Sequence, residues 1–231
     1  MKVTNESLKM ENSISNKHRA LGSQLRRPRG MMGKKVAERM NNGNRKMNLA
    51  TIEQLNLRDN DHVLEVGMGN GYFVENVLST ADNVQYFGCD YSSWMVNESI
   101  LYNDKWVRRN QARFIIGDAS NLPFKTNTFD KLFTVNTLYF WGDCTIVLNE
   151  FKRVLQQNGV LILTFRPSWV MKALPVTRHG FTLYSNDEVV RMLQENGFDV
   201  MENIEQPDED IRYEELVFKS AYSIVKARKR S

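Results

Sequence analysis

The chain has little cysteine and little proline, and it has no long hydrophobic run. Its 231 residues include only two cysteines, Cys89 and Cys144, and five prolines. Two cysteines are too few for a disulfide scaffold, and Cys89 falls in an apolar segment where we expect it to pack as a small hydrophobic side chain. The longest apolar runs, such as 160–165, are far too short to span a bilayer, and residues 1–20 have no apolar core typical of a secretory signal. We therefore expect a cytoplasmic protein without structural disulfides.

What the chain does contain is the composition of an α/β protein. Hydrophobic residues make up 42% of the sequence and charged residues 25%, which suits one globular domain with a substantial core. Strand and helix patterns alternate, and this alternation predicts a mainly parallel sheet with helices on both faces. The Asn-Gly pairs at 158–159 and 196–197 are predicted to stop the helices before them. The predicted strands cover 63–66, 84–89, 112–116, 129–135, 159–165, 198–205 and 218–227. The predicted helices lie near 46–56, 72–80, 92–103, 144–156 and 186–196.

Positive charge is concentrated before the first strand. Residues 17–47 contain ten lysines and arginines and a single acid, Glu38. Clustered cations can neutralise phosphates of nucleic acid or of an anionic membrane surface. A solvated basic arm is the simpler interpretation, and the sequence leaves these alternatives open.

Residues 63–73 are the most informative segment. The apolar residues Val63, Leu64 and Val66 predict a short buried strand. Three glycines then follow at alternate positions, 67, 69 and 71, where a backbone without side chains can approach a ligand closely. An acid, Glu65, stands two residues before the first glycine. The pattern predicts a strand, a cofactor-binding turn and the start of a helix.

This segment resembles the first motif of class I S-adenosylmethionine-dependent methyltransferases, of the small-molecule type-11 kind. The Glu-x-Gly-x-Gly-x-Gly form of that motif is matched by residues 65–71 without a gap. The resemblance extends over about residues 46–227 and implies a Rossmann-like, doubly wound sheet of seven strands, mostly parallel with an antiparallel C-terminal strand. It implies that S-adenosylmethionine is the cofactor.

A dinucleotide-binding loop is the nearest alternative. That loop requires Gly-x-Gly-x-x-Gly, and Tyr72 stands where its third glycine would be. A short-chain dehydrogenase would also need a Tyr-x-x-x-Lys pair on one helical face. The Tyr222 and Lys226 pair lies instead in a segment that alternates like a strand, which would separate the two by roughly 13 Å.

Two later motifs fit the same cofactor. Asp90 ends the second predicted strand, where a carboxylate can accept hydrogen bonds from both ribose hydroxyls. Tyr91 and Met95 follow in a stretch that resembles the Asp-x-Ser-x-x-Met segment of the family, which packs on adenine. Gly117-Asp118-Ala119 resembles the Gly-Asp-Ala of the family, in which the acid and the next backbone N–H contact adenine. The cofactor residues that the resemblance implies are Glu65, Gly67, Gly69, Asn70, Gly71, Asp90, Tyr91, Met95, Asp118, Ala119 and Asn136.

The end of the fourth strand is expected to face the transferred methyl group. Asn136 and the aromatic residues Tyr139 and Trp141 follow this strand, at the edge where an open α/β sheet places its reacting groups. An in-line methyl transfer needs alignment more than a catalytic triad, and it needs a base only for a protonated acceptor. The candidate bases are His179 and Tyr139, with Tyr184 as a further candidate. We predict no metal site.

The sequence therefore predicts methyl transfer to a small-molecule O, N or C nucleophile. Residues 46–231 are assigned to the methyltransferase domain, and residues 1–45 to a basic arm that is partly disordered or covers the active site. Two alternatives stay open: a non-catalytic partner protein that binds S-adenosylmethionine, and an RNA methyltransferase that uses the arm. The sequence does not predict the oligomeric state.

Overall fold

The structure is a computed structural model that describes residues 5–213 and 216–230. The strands are β1 (His62–Val66), β2 (Gln85–Asp90), β3 (Ala112–Ile116), β4 (Phe129–Val135), β5 (Leu155–Phe165), β6 (Phe198–Tyr213) and β7 (Leu216–Lys229). The helices are α1 (Asn5–Arg26), α2 (Gly30–Gly43), α3 (Arg45–Leu55), α4 (Val74–Leu78), α5 (Ser93–Tyr102), α6 (Asp104–Arg108), α7 (Cys144–Val154), α8 (Ser168–Met171) and α9 (Asn186–Glu195).

The strands of the described chain form one seven-stranded sheet in the order β3-β2-β1-β4-β5-β7-β6. Strands β1 to β5 pair in parallel, whereas β7 runs antiparallel between β5 and β6. The predicted fold, a mostly parallel doubly wound sheet with an antiparallel C-terminal strand, is confirmed.

A hydrophobic core lies on each face of this sheet. Val63 packs in the core beneath α3 and α4, whereas its neighbour Leu64 packs in the core beneath α7 and α9. Successive side chains of a strand point to opposite faces, so a strand covered on both faces is apolar throughout. This double burial explains why the short segment 63–66 could be recognised from its sequence.

The carboxyl ends of β1, β2 and β4 meet at one edge of the sheet. The chain leaves β1 toward the face of α4 and leaves β4 toward the opposite face, that of α7. Such a change of direction between adjacent strands opens a crevice, and this is where open α/β sheets bind ligands.

One predicted helix boundary was wrong. Helix α7 ends at Val154, and Leu155 already pairs with Phe129 of β4. The next pairing of β5 joins Val160 to Lys131, so residues 156–159 bulge between two pairings and do not stop the helix. By contrast, α9 ends at Glu195 and Gly197 follows with φ of 82°, as predicted.

Two long helices precede the domain predicted from the motifs. Helices α1 and α2 account for residues 5–26 and 30–43, where the sequence analysis assigned only a basic arm. Among the described residues, no helix combines the length and the apolar character that a membrane span requires.

Candidate functional site

A cavity of about 430 Å³ lies at the carboxyl edge of the sheet. One of its walls is the sheet edge, formed by the loops after β1, β2, β3 and β4, and we call it the sheet wall. The other wall is formed by α1, α2 and α3, and we call it the helix wall. The predicted cofactor residues in the lining are Glu65, Gly67, Gly69, Asn70, Asp90, Tyr91, Asp118, Ala119 and Asn136.

The glycine loop bends the chain around the end of β1. Gly67 and Gly69 have φ of 79° and 58°, in the left-handed region that other residues rarely adopt. A Cβ at Gly67 would collide with Cγ2 of Thr137, whereas a Cβ at Gly69 would meet no protein atom within 4 Å. Gly67 therefore permits close packing within the protein, and Gly69 leaves open room in the cavity.

Asp90 holds this loop in place. Its Oδ2 accepts a hydrogen bond from the backbone N–H of Gly69 at 3.0 Å, and its Oδ1 accepts one from the N–H of Ser92 at 2.8 Å. Burial raises the pKa of the Asp90 carboxyl to about 6, although these two hydrogen bonds lower it in part. Asp90 ends β2, so the strand carries a buried acid to the cavity.

Glu65 is a second buried acid beside Asp90. The hydroxyl of Tyr86 donates to its Oε2 at 2.6 Å. Burial raises the pKa of Glu65 to about 7, the Tyr86 hydrogen bond lowers it, and the charge of Asp90 raises it further. Near neutral pH the protein therefore holds two adjacent carboxyl groups that carry less than their usual charge, and a ligand with donors or positive charge can complement both.

Asp118 and Ala119 lie in the turn after β3. Oδ1 of Asp118 accepts from the backbone N–H of Ser120 at 2.9 Å and from its hydroxyl at 2.7 Å. Gly117 precedes them, and its N–H donates to the carbonyl of Asp90 at 3.1 Å. These hydrogen bonds fix the turn against the end of β2, so Asp118 reaches the same cavity as Asp90.

Asn136 enters the cavity from the end of β4. Its backbone adopts a left-handed conformation with φ of 58°, and its Nδ2 donates to Sδ of Met47 at 3.2 Å. Trp141 also lines the cavity, and among the described residues its buried indole N–H has no hydrogen-bond partner. Trp141 therefore holds a buried donor beside the cavity that no described residue satisfies.

Tyr139 lies behind this wall and not in the lining. Its hydroxyl accepts from the backbone N–H of Arg166 at 2.5 Å and lies 3.0 Å from Oδ1 of Asn136. Burial raises the pKa of Tyr139 well above its usual value. The structure therefore places Tyr139 as a support for Asn136.

Other predicted residues also lie outside the lining. The carbonyl of Gly71 accepts from Nδ2 of Asn103, and Met95 is fully buried at the start of α5. His179 stacks near α1, with its ring 6.3 Å from that of His18. The hydroxyl of Tyr184 lies 3.2 Å from Sγ of Cys144.

The helix wall contains residues that the sequence analysis did not identify. Three asparagines, Asn41, Asn44 and Asn48, follow one another at helical spacing and line the cavity together with Ala37 and Met40. The sequence does contain a pattern that could have identified them, because asparagines spaced by three and four residues lie on one face of a helix. The lining residues at the junction of α1 and α2 are Leu25, Arg26 and Pro28.

Specific contacts attach the helix wall to the sheet wall. The hydroxyl of Ser92 donates to the carbonyl of Pro28 at 2.5 Å, and the guanidinium of Arg27 lies 4.4 Å from the ring centre of Tyr91. At the other end of α2, Arg166 donates to the carbonyl of Gly43 at 2.9 Å. The wall is therefore anchored at both ends of α2.

Arg166 connects this anchor to the C-terminal hairpin. Its Nη2 lies 2.8 Å from Oδ2 of Asp208 on β6, and its Nη1 donates to the hydroxyl of Ser220 on β7 at 2.6 Å. Both partners of the ion pair are buried. The end of β5 therefore links the helix wall, the hairpin and Tyr139.

The lining fits a nucleoside cofactor that carries a positive charge. Gly69 leaves space beside the backbone, and Asp90 and Asp118 supply carboxylates. A carboxylate at the end of the second strand suits ribose hydroxyls, and buried acids suit a nearby cation.

Known proteins share this architecture and these motifs. Residues 64–163 match the protein family described as a methyltransferase domain. The chain is 30% identical over 124 residues to the Bacillus subtilis protein named uncharacterized methyltransferase YdaC, covering 54% of this chain and 66% of that protein. It is 30% identical over 122 residues to the demethylmenaquinone methyltransferase of Beutenbergia cavernae, covering 52% of this chain and 48% of that enzyme. The chain thus spans less than two thirds of the length of these relatives.

Solved structures agree in fold. A chain of the complex between the Haloferax volcanii Trm112 methyltransferase activator and its methyltransferase partner superposes with a TM-score of 0.75 at 18% identity, covering 84% of this chain and 94% of that one. The YcgJ protein of Bacillus subtilis superposes with a TM-score of 0.67 at 17% identity, covering 80% and 99%. The matched segment 64–163 contains the glycine loop, Asp90, Asp118 and Asn136, and the sheet has the expected strand order. Residues 64–163 are therefore a methyltransferase domain whose homologues and structural neighbours are class I S-adenosylmethionine-dependent methyltransferases.

Proposed function

We propose that this protein transfers a methyl group from S-adenosylmethionine to a small-molecule acceptor. The observation that carries the proposal is the sheet wall, where Asp90 lies partly buried at the end of β2 and accepts a hydrogen bond from the N–H of Gly69. When bound, S-adenosylmethionine supplies a methyl group on a positively charged sulfur. The chain supplies alignment and the exclusion of water, which suffice for an in-line displacement.

The proposal gives each part of the sheet wall a role. Asp90 accepts hydrogen bonds from the ribose hydroxyls, and Asp118 with Ala119 contacts the adenine. The backbone of the glycine loop, which includes Asn70, contacts the remaining part of the cofactor. Glu65, on the strand before the loop, supports this contact. Tyr91 and Asn136 close the cavity on either side. Gly71 and Met95 keep the loop and α5 in position from outside the lining.

The acceptor contacts the helix wall. Among the lining residues of the described chain there is no histidine and no lysine. The predicted bases His179 and Tyr139 gain no support from their positions, because neither side chain reaches the cavity. We therefore propose an acceptor whose attacking atom needs no histidine or lysine base from the protein at neutral pH. Relatives named as demethylmenaquinone and sterol 24-C-methyltransferases support a small-molecule acceptor.

Two measurements test this function. Isothermal titration with S-adenosylmethionine and, separately, with NAD tests the cofactor, and we expect micromolar binding of the first and no response to the second. Incubation with panels of quinols, sterols and small carboxylates, read out as S-adenosylhomocysteine, then tests turnover. Binding of NAD without binding of S-adenosylmethionine would overturn the proposal.

Cofactor binding without turnover on any acceptor would favour the non-catalytic alternative. The fold is not tied to methyl transfer, since the protein described as the [4+2]-cyclase SpnF superposes on this chain with a TM-score of 0.66 at 19% identity. A non-catalytic protein would keep the interaction of Asp90 with S-adenosylmethionine and lose only the transfer of the methyl group.

A further inference from the structure

The outer surface at the junction of α1 and α2 combines exposed apolar and positively charged side chains. We call this surface the basic corner. It consists of Arg29, Met31, Met32, Lys34 and Lys35.

The two methionines of the basic corner are unusually accessible. Met31 is 70% exposed and Met32 is 52% exposed, although α2 buries Gly33, Val36 and Ala37 on its other side. Methionine is normally a core residue, and adjacent exposed apolar side chains mark a contact surface more often than isolated ones do. Packing within the chain does not account for the exposure of these two methionines, which points to contact with a partner.

The charges around these methionines are predominantly positive. Arg29, Lys34, Lys35 and the nearby Arg39 are all exposed, and Glu38 is the one acid in residues 17–47. Within the described parts of the chain, no ion pair involves any of these cations. Their charge is therefore available to an anionic partner.

The basic corner adjoins the cavity. Leu25, Arg26 and Pro28 line the cavity immediately before it, and the inner face of α2 contributes Ala37 and Met40. A surface that contacts the outer face of α2 would thus lie next to the acceptor side of the site.

We propose that the basic corner docks the protein on an anionic lipid bilayer, with Met31 and Met32 entering the boundary between headgroups and acyl chains. A helix with cations around an apolar group binds such an interface through both apolar burial and charge. Nucleic acid would use the charges but gain little from the methionine pair. The bilayer then delivers an amphiphilic acceptor to the cavity, a consequence that rests on the proposed function.

Flotation of the full chain with lipid vesicles tests the docking. Vesicles of phosphatidylcholine alone are compared with a one-to-one mixture of phosphatidylcholine and phosphatidylglycerol, and we expect binding to the mixture only. The double variant Lys34→Glu/Lys35→Glu should weaken partitioning by about tenfold or more, since each cation near an anionic surface contributes separately. Met31→Ser/Met32→Ser should weaken it at unchanged charge.

Matched variants elsewhere serve as controls. Lys125→Glu/Arg228→Glu reverses two exposed charges away from the corner, and Met201→Ser removes an exposed methionine from β6. Both should bind vesicles as the parent chain does. Circular dichroism and titration with S-adenosylmethionine, carried out without vesicles, report folding and the proposed function independently of docking.

Two results would overturn the proposal. One is the absence of binding to the anionic vesicles by a protein that still binds S-adenosylmethionine. The other is binding that the methionine variant leaves unchanged while a structured RNA competes it away in a salt-sensitive manner, which would assign the corner to nucleic acid.

Discussion

The two walls of the cavity are built by different means. The sheet wall consists of backbone turns and acidic side chains, and its residues are hydrogen-bonded to one another, as Asp90 is to Gly69. The helix wall consists of side chains on the inner faces of helices, attached through a few contacts such as that between Ser92 and Pro28. The sheet wall is therefore suited to one fixed ligand, whereas the helix wall can vary in composition without disturbing the fold.

This difference predicts that the two walls respond separately to substitution. Changes in the sheet wall should affect cofactor binding and stability. Changes in the lining of the helix wall should affect the acceptor while the cofactor still binds.

The largest effect is expected from Asp90→Ala. The variant removes a buried carboxylate that is proposed to accept two hydrogen bonds from the cofactor, each worth about 1.5–3 kcal/mol when one partner is charged. Titration should show affinity for S-adenosylmethionine at least about a hundredfold lower, since 1.4 kcal/mol corresponds to a factor of ten. Asp130→Ala is the matched control, because Asp130 accepts from the N–H of His62 at the start of β1 and β4, away from the cavity. Equal losses in the two variants would contradict the assignment.

Two glycine variants, Gly67→Ala and Gly69→Ala, distinguish a glycine needed for packing from a glycine that leaves space for the ligand. Gly67→Ala should cost about 3 kcal/mol or more in stability, because a left-handed backbone and overpacking against Thr137 both oppose it. Gly69→Ala should cost only about 1–2 kcal/mol, because the new methyl group meets open space.

Chemical denaturation and cofactor titration distinguish these two variants. Gly69→Ala should remain folded and lose affinity for S-adenosylmethionine, since its methyl group projects into the cavity. Unchanged affinity in folded Gly69→Ala would place the cofactor elsewhere.

The pH dependence of binding tests the state of Asp90. Burial raises the pKa of its carboxyl to about 6, and ribose hydroxyls donate best to the ionised form. Affinity for S-adenosylmethionine should therefore rise by about tenfold between about pH 5 and pH 7 and then level off, because about one carboxyl in ten is ionised one unit below the pKa. Glu65 has a pKa of about 7 and keeps its proton over most of that range.

Asp90→Asn is the control for this titration. The amide cannot ionise, so the variant should bind more weakly and show a flatter profile over the same pH range. A rise as steep as that of the parent chain would assign the titration to another group.

The smallest effect is expected on the helix wall. Asn41→Ala removes one amide from the lining and should lower kcat/KM for the acceptor by up to about tenfold, the scale of a single neutral hydrogen bond. Affinity for S-adenosylmethionine should stay within about twofold, since no charged contact changes. Asn42→Ala is the control, because Asn42 is the exposed neighbour that does not line the cavity. A loss of cofactor affinity in Asn41→Ala would show that the two walls are not separate.

The difference between the two walls also explains why the sheet wall could be predicted from the sequence. Segments such as 63–66 and 129–135 were predicted because strands covered on both faces are rich in apolar residues, even where an acid such as Glu65 or Asp130 interrupts them. The glycine loop was recognised because a tight turn beside a ligand restricts residue type at fixed spacing. The acids at 90 and 118 were found because they follow strands at the carboxyl edge.

The helix wall escaped prediction for a physical reason. Asn41 and Asn48 are ordinary polar helix residues, Asn44 joins their two helices, and the inward direction of all three depends on how α2 and α3 dock on the sheet. That docking involves contacts over long sequence separations, such as that of Arg166 with Gly43, which no local pattern encodes. The exclusion of His179 from the lining likewise depends on where α1 packs.

The position of Arg166 joins parts of the chain that would otherwise be independent. Its guanidinium donates to the carbonyl of Gly43 at the end of α2 and to the hydroxyl of Ser220 on β7, and it forms an ion pair with Asp208 on β6. Removing the carboxylate of Asp208 would leave a buried cation without its counter-charge, and the Arg166 contact with the end of α2 should weaken with it. The far hairpin thereby helps to hold the helix wall, and insertions or deletions near its strands should displace α2.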